Sequence, residues 1–308
     1  MLSQIQTTSS QTQLGIGAGI IAGAFWGLVF LAPELTPGFT PLQLSAGRYL
    51  AYGLVAAVLV ARAWPRLRRT LSWADWRGLA WLSLLGNIVY YLFVAQAVQS
   101  GGVAMTSIVI GLLPLAVTLA GLREPGAVPL RRLAPSLVLG GAGLACISWD
   151  AAASSEGGSV LGLLCALGAL VSWTIYAVVN RRWLARLKGV SGQEWSLLVG
   201  VVTGAQALLL ALPAFQPGGA THTTSEWMQF LGVVTAVGIF CSVVGNALWN
   251  YASRALPMAL MGQMIVFETV FASLYGFLWE ARWPNAWEAA ALVLLLAGVA
   301  SCAAAHRN

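Results

Sequence analysis

Charge and histidine are the scarcest features of this chain. Only 8% of its 308 residues are charged and only two are histidines, whereas 58% are hydrophobic. Average globular domains carry about 25% charged residues, so an ordinary soluble domain is excluded. Both histidines, His222 and His306, fall outside the apolar segments. A haem or zinc centre within those segments would need histidine ligands there, so we expect no cofactor and no metal site.

The motifs of several other protein classes are also absent. No G-x-x-x-x-G-K-S/T phosphate-binding loop occurs, so this chain is not expected to be an ATP-driven pump. A membrane-embedded enzyme would need a nucleophile–base set or clustered His and Asp within the apolar segments, and we find neither. The cysteines form no CxxC pair, and we expect apolar packing to be the role of Cys146, Cys165, Cys241 and Cys302.

Apolar sequence is abundant and falls into ten segments. A helix needs ~20 apolar residues to cross the ~30 Å hydrocarbon layer of a bilayer, and each segment is near that length. We therefore predict an all-α polytopic membrane protein with ten transmembrane helices. The predicted spans are Leu14–Ala32, Leu42–Val60, Gly78–Val98, Val103–Gly121, Leu133–Trp149, Val160–Asn180, Trp195–Phe215, Met228–Tyr251, Met258–Trp279 and Ala286–Ala304.

The basic residues predict how the spans are oriented. With ten spans, all of the 16 Lys and Arg residues except Arg48 and Arg282 fall on one face of the membrane. The positive-inside rule makes that face cytoplasmic, with both termini inside, and we expect a multi-pass protein of the bacterial inner (plasma) membrane. The net charge of +6 is explained by contact with anionic headgroups of the lipid bilayer, so no nucleic-acid partner is expected.

The spans form two sets of five, residues 14–149 and 160–304, and we predict that these are two repeats. Because five is odd, tandem copies enter the membrane from opposite sides, which gives inverted repeats. Such repeats are typical of alternating-access carriers, although a channel or a membrane enzyme could share the architecture. The signals that recur in order include a tryptophan in the first span and a Gly-Asn pair in the third: Trp26 and Trp173, then Gly86-Asn87 and Gly245-Asn246.

These signals resemble the drug/metabolite transporter superfamily, in its ten-helix EamA-like branch, over nearly the whole chain. Within that branch the chain is most similar overall to the aromatic amino acid exporters of the YddG type. The family pattern has Glu before Pro in the fourth helix, whereas Leu113 takes that place here in the first half and Thr269 replaces the proline in the second. The residues that carry the resemblance are Ala24–Gly27, Val171–Thr174, Leu113-Pro114, Glu268-Thr269 and Leu296–Ala300.

The resemblance implies a carrier that exports small metabolites, most of all aromatic and other hydrophobic amino acids. Without an ATPase motif, transport would run downhill or couple to an ion gradient, and a proton is a possible coupling ion. An exporter of cationic drugs or other metabolites of the superfamily remains an alternative, although several intramembrane acids would favour cations and the chain has one. A membrane-embedded enzyme is the alternative from another class.

The candidate substrate-binding residues are polar and aromatic side chains deep in the spans. A tryptophan indole in hydrocarbon needs a hydrogen-bond partner, which a central aqueous cavity would supply, although a buried tryptophan can also fill a packed core. Amide side chains could bind an amino acid zwitterion or simply connect helices by hydrogen bonds. The candidates are Trp26, Asn87, Tyr90, Tyr91, Trp173, Tyr176, Asn246, Asn250 and Glu268.

Glu268 is the only acid deep in a predicted span, about eleven residues into a helix of about twenty-two. A charged carboxylate in hydrocarbon costs several kcal/mol, so we expect Glu268 to be neutral, paired or facing water. Substrate binding, proton binding and a structural hydrogen bond all remain open for it.

A stripe of glycines runs down the first span at every fourth residue: Gly15, Gly19, Gly23 and Gly27. It favours either tight helix packing or a sliding seam, a smooth helix face that can shift against its neighbour.

Overall fold

The computed structural model describes residues 2–120, 129–153, 158–187, 189–216, 221–256 and 264–305. Every regular element in these residues is helical. The helices are α1 (Leu2–Gly27), α2 (Ala32–Leu35), α3 (Pro41–Val60), α4 (Trp64–Thr70), α5 (Trp73–Ser83), α6 (Tyr90–Ile110), α7 (Leu113–Ala120), α8 (Leu130–Ala153), α9 (Gly158–Arg186), α10 (Gly192–Ala214), α11 (Thr224–Ala236), α12 (Gly245–Ala255), α13 (Val266–Trp279) and α14 (Ala286–Ala305). A 3-10 turn, Leu28–Phe30, follows α1, and two π-helical segments, π1 (Leu84–Val89) and π2 (Val237–Val244), join α5 to α6 and α11 to α12.

The helical fold follows from the apolar sequence. Inside hydrocarbon a backbone must satisfy its own hydrogen bonds, and a helix does so within one segment. At helix starts, side chains satisfy the free N–H groups, as in the capping boxes formed by Thr40 with Gln43 and by Ser191 with Glu194. Equivalent capping boxes begin α5 and α11.

Seven helical stretches in the described residues are long and apolar enough to cross a membrane. The prediction of an all-α, multi-pass membrane protein is therefore confirmed, while the count of ten spans stays a prediction. Two shorter apolar helices, Val266–Trp279 and Ala286–Cys302, follow in the chain. The seven stretches are Gln11–Phe30, Pro41–Val60, Trp73–Ile110, Leu130–Asp150, Val160–Leu184, Gly192–Ala214 and Thr224–Ala252.

The longest of these stretches, Trp73–Ile110, is broken at Gly102. The φ angle of Gly102 is +80°, which glycine adopts without the steric cost that other residues pay. Before the break the chain packs along α9, where Gly101 lies against Gly162. Directly after it the chain packs along α13, where Val103 lies against Gly276. Two predicted spans therefore meet at this break.

The predicted fourth and ninth spans differ from continuous helices. The fourth is interrupted at Gly111 and Leu112, after which α7 begins. In the ninth, Ile265 forms a turn and α13 begins at Val266, so Glu268 is the third residue of α13 and not the middle of a long helix. The expectation that Glu268 lies in the middle of a continuous helix is therefore wrong.

The closest helix pairs join residues 14–149 to residues 160–304. The most extensive contacts are those of α3 with α10, α6 with α9, and α8 with α14, and α1 also packs on α12 and α13. Where α3 crosses α10, a Cβ atom on Gly53 would lie 2.5 Å from the Cα of Gly204, so no larger side chain fits. The two predicted halves are thus packed into one another by close glycine-rich contacts.

Candidate functional site

Trp26, near the end of α1, packs against the second half of the chain. Its indole Nε1 donates a hydrogen bond to the Cys241 carbonyl at 3.0 Å, and its ring centre lies 5.1 Å from that of Trp249. The π2 segment makes this bond possible, because the Gly245 N–H bonds to Phe240 O instead of to Cys241 O as in an α-helix. A backbone carbonyl therefore supplies the partner that sequence reasoning assigned to an aqueous cavity.

Asn87 lies in π1 and connects helices. Its Nδ2 donates to Thr203 Oγ1 of α10 at 3.0 Å, and its backbone carbonyl accepts a bond from the Tyr49 hydroxyl at 3.0 Å. The neighbouring Leu85 carbonyl accepts from Ser172 Oγ at 2.8 Å. Both π segments thus present backbone carbonyls to side chains of other helices, and the side chain of Asn87 makes an interhelical bond.

Arg48 in α3 is the central residue that sequence reasoning left out of the site. It is buried, with 8% of its surface exposed. Its guanidinium carbon lies 4.4 Å from the ring centre of Tyr91 and 5.1 Å from that of Tyr49, and Nη2 donates to Ser242 Oγ at 3.3 Å. The signal that could have found it is that Arg48 is the only basic residue within a predicted span, and such residues are functional by default.

Two of the predicted tyrosines surround Arg48. Tyr91 is 1% exposed, and its ring meets that of Tyr49 edge to face at 5.9 Å. Tyr90 is 9% exposed and interacts electrostatically with both Arg48 and Glu268. Burial of these rings beside a cation combines apolar burial with cation–π attraction. The Tyr91 ring lies directly beside the guanidinium of Arg48.

A small cleft lies between α3, α10, π2 and α12. Predicted residues Asn246 and Asn250 line it, together with Tyr52 and with Ser242, the hydroxyl that Arg48 contacts. Leu59, close to the end of α3, also lines it. The cleft therefore extends from the basic end of the bundle, where the arginine-rich turn after α3 lies, to the surroundings of Arg48.

Glu268 lies half-buried in the first turn of α13, where the positive end of the helix dipole favours a carboxylate. Its backbone nitrogen faces Gly23 of α1, where a Cβ would lie 3.0 Å away. Its carboxylate interacts electrostatically with Arg48, but the two form no ion pair within 4.0 Å. The structure therefore places an acidic and a basic side chain near one another without an ion pair between them.

Trp173 and Tyr176 of α9 form a separate group. Both are half-buried, and their ring centres lie 5.8 Å apart. The Tyr176 ring packs on Gly86 of π1, where no Cβ would fit. The structure thus places Tyr91 against Arg48, with Tyr90 and Glu268 close enough to interact electrostatically, and Asn246 and Asn250 in the cleft. Trp26 packs instead on π2 and Trp249. Asn87, Trp173 and Tyr176 lie at the π1 contact.

The end of the bundle opposite the cleft is closed by aromatic rings. Phe39, before α3, stacks on His222 at 4.0 Å and on Phe230 at 4.2 Å, and Trp227 meets it edge to face. The Phe39 carbonyl also accepts a bond from Gln99 Nε2 at 2.8 Å. This cluster joins the turn after α2 to the start of α11 and to α6.

A charge network fixes the turn between α13 and α14. Arg282 donates to both carboxylate oxygens of Glu288, each at 2.6 Å, and to Glu280 at 2.5 Å. These bonds, above all those to Glu288, hold the pKa of Arg282 above its usual value. The buried Glu288 carboxylate is thereby paired, and Asn285 connects the same turn to Asp150 at the end of α8.

A sequence profile of the EamA-like transporter family matches this chain twice, over residues 13–149 and 160–302. The chain belongs to the EamA-like transporter family. It is therefore similar to membrane transporters. This assignment confirms the superfamily that the residues indicated, while the aromatic amino acid exporter subtype stays a prediction.

Two individual proteins are similar to this EamA-like transporter. The inner membrane protein YtfF of Escherichia coli (strain K12) is 31% identical over 305 residues, which cover 92% of this chain and 93% of YtfF. A solved crystal structure matches with a TM-score of 0.59 and 22% identity, covering 95% of this chain and 96% of that one. The second likeness supports the fold alone.

Proposed function

We propose that this EamA-like transporter is an alternating-access carrier that exports aromatic and other hydrophobic amino acids across the inner membrane. The observation that carries the proposal is the difference between the two ends of the bundle. At the basic end lies a small cleft lined by Tyr52, Asn246 and Asn250, whereas at the opposite end Phe39 and His222 stack and close the helix ends. A carrier open to one side only has this form.

Two inverted five-span repeats, residues 14–149 and 160–304, are part of the proposal. The family profile matches once in each set, and the π-helical segments occur at corresponding places, at Gly86-Asn87 and just before Gly245-Asn246. The break at Gly102 supports a division of Trp73–Ile110 into two spans. That division, with the short α13 and α14, favours ten spans over seven.

Interrupted helices support a central site. In inverted-repeat carriers the substrate lies near the midplane, beside helices whose broken ends leave backbone groups and dipoles for binding. Here the fourth span is interrupted at Gly111 and the ninth at Ile265, at nearly equivalent positions of the two halves. Glu268 follows the second interruption directly, which favours a role in the substrate pathway.

The chemistry of the lining favours an amino acid with an apolar side chain. The ring of Tyr52 in the cleft offers a flat apolar surface to an aromatic or aliphatic group, and the amides of Asn246 and Asn250 suit a zwitterion. A buried cation at Arg48 disfavours cationic drugs as the main substrates, because like charges repel in a low dielectric.

Export is the direction that the family resemblance implies, and the charge distribution supports loading from the cytoplasm. The cleft opens at the end that carries the basic turns, and the positive-inside rule places that end in the cytoplasm. The conformation described here would therefore load substrate from the cytoplasm.

Uptake of radiolabelled phenylalanine into liposomes that contain only this protein tests the proposal. We expect saturable uptake above that of protein-free liposomes, with competition by tryptophan and leucine but not by glutamate. Trp173→Ala should lower uptake severalfold at normal expression, because the ring that packs on Tyr176 at the π1 contact is lost. Leu164→Ala, at an exposed position of the same helix, is the matched control. Uptake no faster than in protein-free liposomes would contradict the function.

A further inference from the structure

Arg48 carries donors that the fold itself does not use. Its Nε and Nη1 atoms are buried, and neither has a hydrogen-bond acceptor in the part of the chain that the structure describes. Buried polar groups in proteins are almost always bonded, and each exception needs an explanation. For a guanidinium that remains charged at every physiological pH, an acceptor that arrives with a ligand is such an explanation.

The surroundings hold the guanidinium in place without neutralising it. The rings of Tyr49 and Tyr91 lie 5.1 Å and 4.4 Å from its central carbon, and Ser242 accepts a bond from Nη2 only. Tyr49 is itself fixed, because its hydroxyl donates to the carbonyl of Asn87. Cation–π contacts and a neutral hydroxyl orient the cation but leave its charge available. This is preorganisation of an anion site.

The site lies beside a route for ligands. Ser242, which accepts the bond from Arg48, also lines the cleft at the basic end together with Tyr52 and Asn246. A molecule in that cleft therefore comes within one side chain of the guanidinium. This cleft is the one proposed above to admit the substrate.

We propose that Arg48 is the residue that binds the carboxylate of the transported substrate. The planar guanidinium matches a carboxylate in shape and charge, and the bond is stronger than one between neutral groups. Glu268 lies close enough to interact electrostatically with Arg48 but does not pair with it. A zwitterion can therefore place its carboxylate on the Arg48 guanidinium and its ammonium group beside the Glu268 side chain. This inference rests on the proposed function, which it makes more specific: substrates must carry a carboxylate.

Thermal unfolding of the purified full-length protein with three probes tests this assignment. Phenylalanine has a carboxylate and an ammonium group, phenylpyruvate has only the carboxylate, and phenethylamine has only the ammonium group. A ligand that binds the folded state raises Tm, and at equal concentration a tighter ligand raises it more. We expect phenylalanine to stabilise the parent most, phenylpyruvate to stabilise it less, and phenethylamine to leave Tm unchanged.

Two variants isolate the guanidinium. Arg48→Gln should weaken the apparent affinity for phenylalanine by at least about tenfold, equivalent to about 1.4 kcal/mol, and Arg48→Lys should restore part of it. Without ligand, Arg48→Gln should have a Tm equal to or above that of the parent, because an unsatisfied buried cation is removed. A purely structural arginine would instead give a lower Tm without ligand and an unchanged preference among the probes.

The outcomes separate this inference from the proposed function. If phenylpyruvate stabilises the parent through Arg48 and phenylalanine does not, the carboxylate site stands and the amino acid substrate is wrong. If phenethylamine stabilises the parent as well as phenylalanine does, or if Arg48→Gln binds phenylalanine like the parent, the carboxylate role of Arg48 is wrong while the carrier function stands. A parent that responds to no probe contradicts both.

Discussion

Glu268 and Arg48 are the two oppositely charged side chains near the centre of the bundle, and they remain unjoined. Burial favours the protonated form of the Glu268 side chain, and the nearby Arg48 cation favours the charged form. The possible roles of Glu268 are to compensate the substrate ammonium group or to carry a proton. The corresponding position of the other half is Leu113 and carries no acid. This favours compensation of the substrate ammonium group over proton transfer as the role of Glu268.

A glutamine in place of Glu268 separates the two roles. Glu268→Gln keeps the shape and hydrogen bonding of the side chain but removes its charge and its titratable proton. We expect exchange of phenylalanine across liposomes to weaken by about tenfold, since a charge-assisted bond contributes about 1.5–3 kcal/mol. Glu226→Gln, at an exposed capping position of α11, is the control for the removal of a carboxylate charge outside the site.

If exchange persists at the parental rate but gradient-driven uptake and its pH dependence are lost, Glu268 couples a proton instead. If all of these stay at parental values, Glu268 has neither role.

Part of the site could be predicted residue by residue. Asn246 and Asn250 are polar side chains one helical turn apart in the predicted eighth span, and they line the cleft together. Asn87 has the same polarity, but its partner Thr203 lies 116 residues away in the chain, so only the packed structure shows that its side chain is bonded. The sequence marks Arg48 as the only basic residue within a predicted span, but its contacts with Tyr91 of α6 and Ser242 of π2 appear only in the packed structure.

At the scale of helices, the glycine stripe of α1 fits its partners closely. A Cβ on Gly23 would lie 2.8 Å from the Cβ of Phe267 and 3.0 Å from the nitrogen of Glu268, whereas a Cβ on Gly17 would meet nothing within 4 Å. The stripe therefore brings α1 against the start of α13, where the ninth span is interrupted. Tight packing is present along it, and the sliding seam stays a prediction.

Single alanine substitutions distinguish the two faces of α1. Gly23→Ala should lower Tm and slow transport, because overpacking costs about 1–3 kcal/mol and displaces the turn that carries Glu268. Gly17→Ala should leave transport unchanged, since alanine has open space there and is the better helix former. Both are measured by thermal unfolding and by phenylalanine uptake. Equal effects of the two variants would show that the contact at Gly23 has no special role.

Sequence reasoning predicted the helices well and their interruptions poorly. The apolar segments required helices because hydrocarbon leaves the backbone no other partner. The π segments and the break at Gly102 depend instead on contacts between distant helices, such as that of Gly86 with Tyr176. The composition of a segment carries no signal for contacts between distant helices, so the sequence alone predicts continuous spans.

At the scale of the whole molecule, the orientation in the membrane stays a prediction that labelling can test. Trp283→Cys lies in the turn between α13 and α14 at a position that is 92% exposed, and Gly192→Cys lies at the start of α10, where a Cβ meets nothing within 4 Å. In intact cells an impermeant thiol reagent should label the first and not the second. The unsubstituted protein, with its four native cysteines, is the background control.

Labelling of Gly192→Cys alone would reverse the orientation and the inferred direction of loading. Labelling of both positions in sealed cells would place them on the same side and would contradict the predicted span count.

The central claim is that one site opens alternately to the two sides, and counterflow tests it most directly. Liposomes containing the protein are loaded with unlabelled phenylalanine and diluted into a trace of labelled phenylalanine. An alternating-access carrier returns from each outward trip with a labelled molecule, so we predict a transient accumulation of label above its equilibrium level, and faster entry than into empty liposomes. Entry of label at the same rate with and without internal phenylalanine, and with no overshoot, would contradict the account.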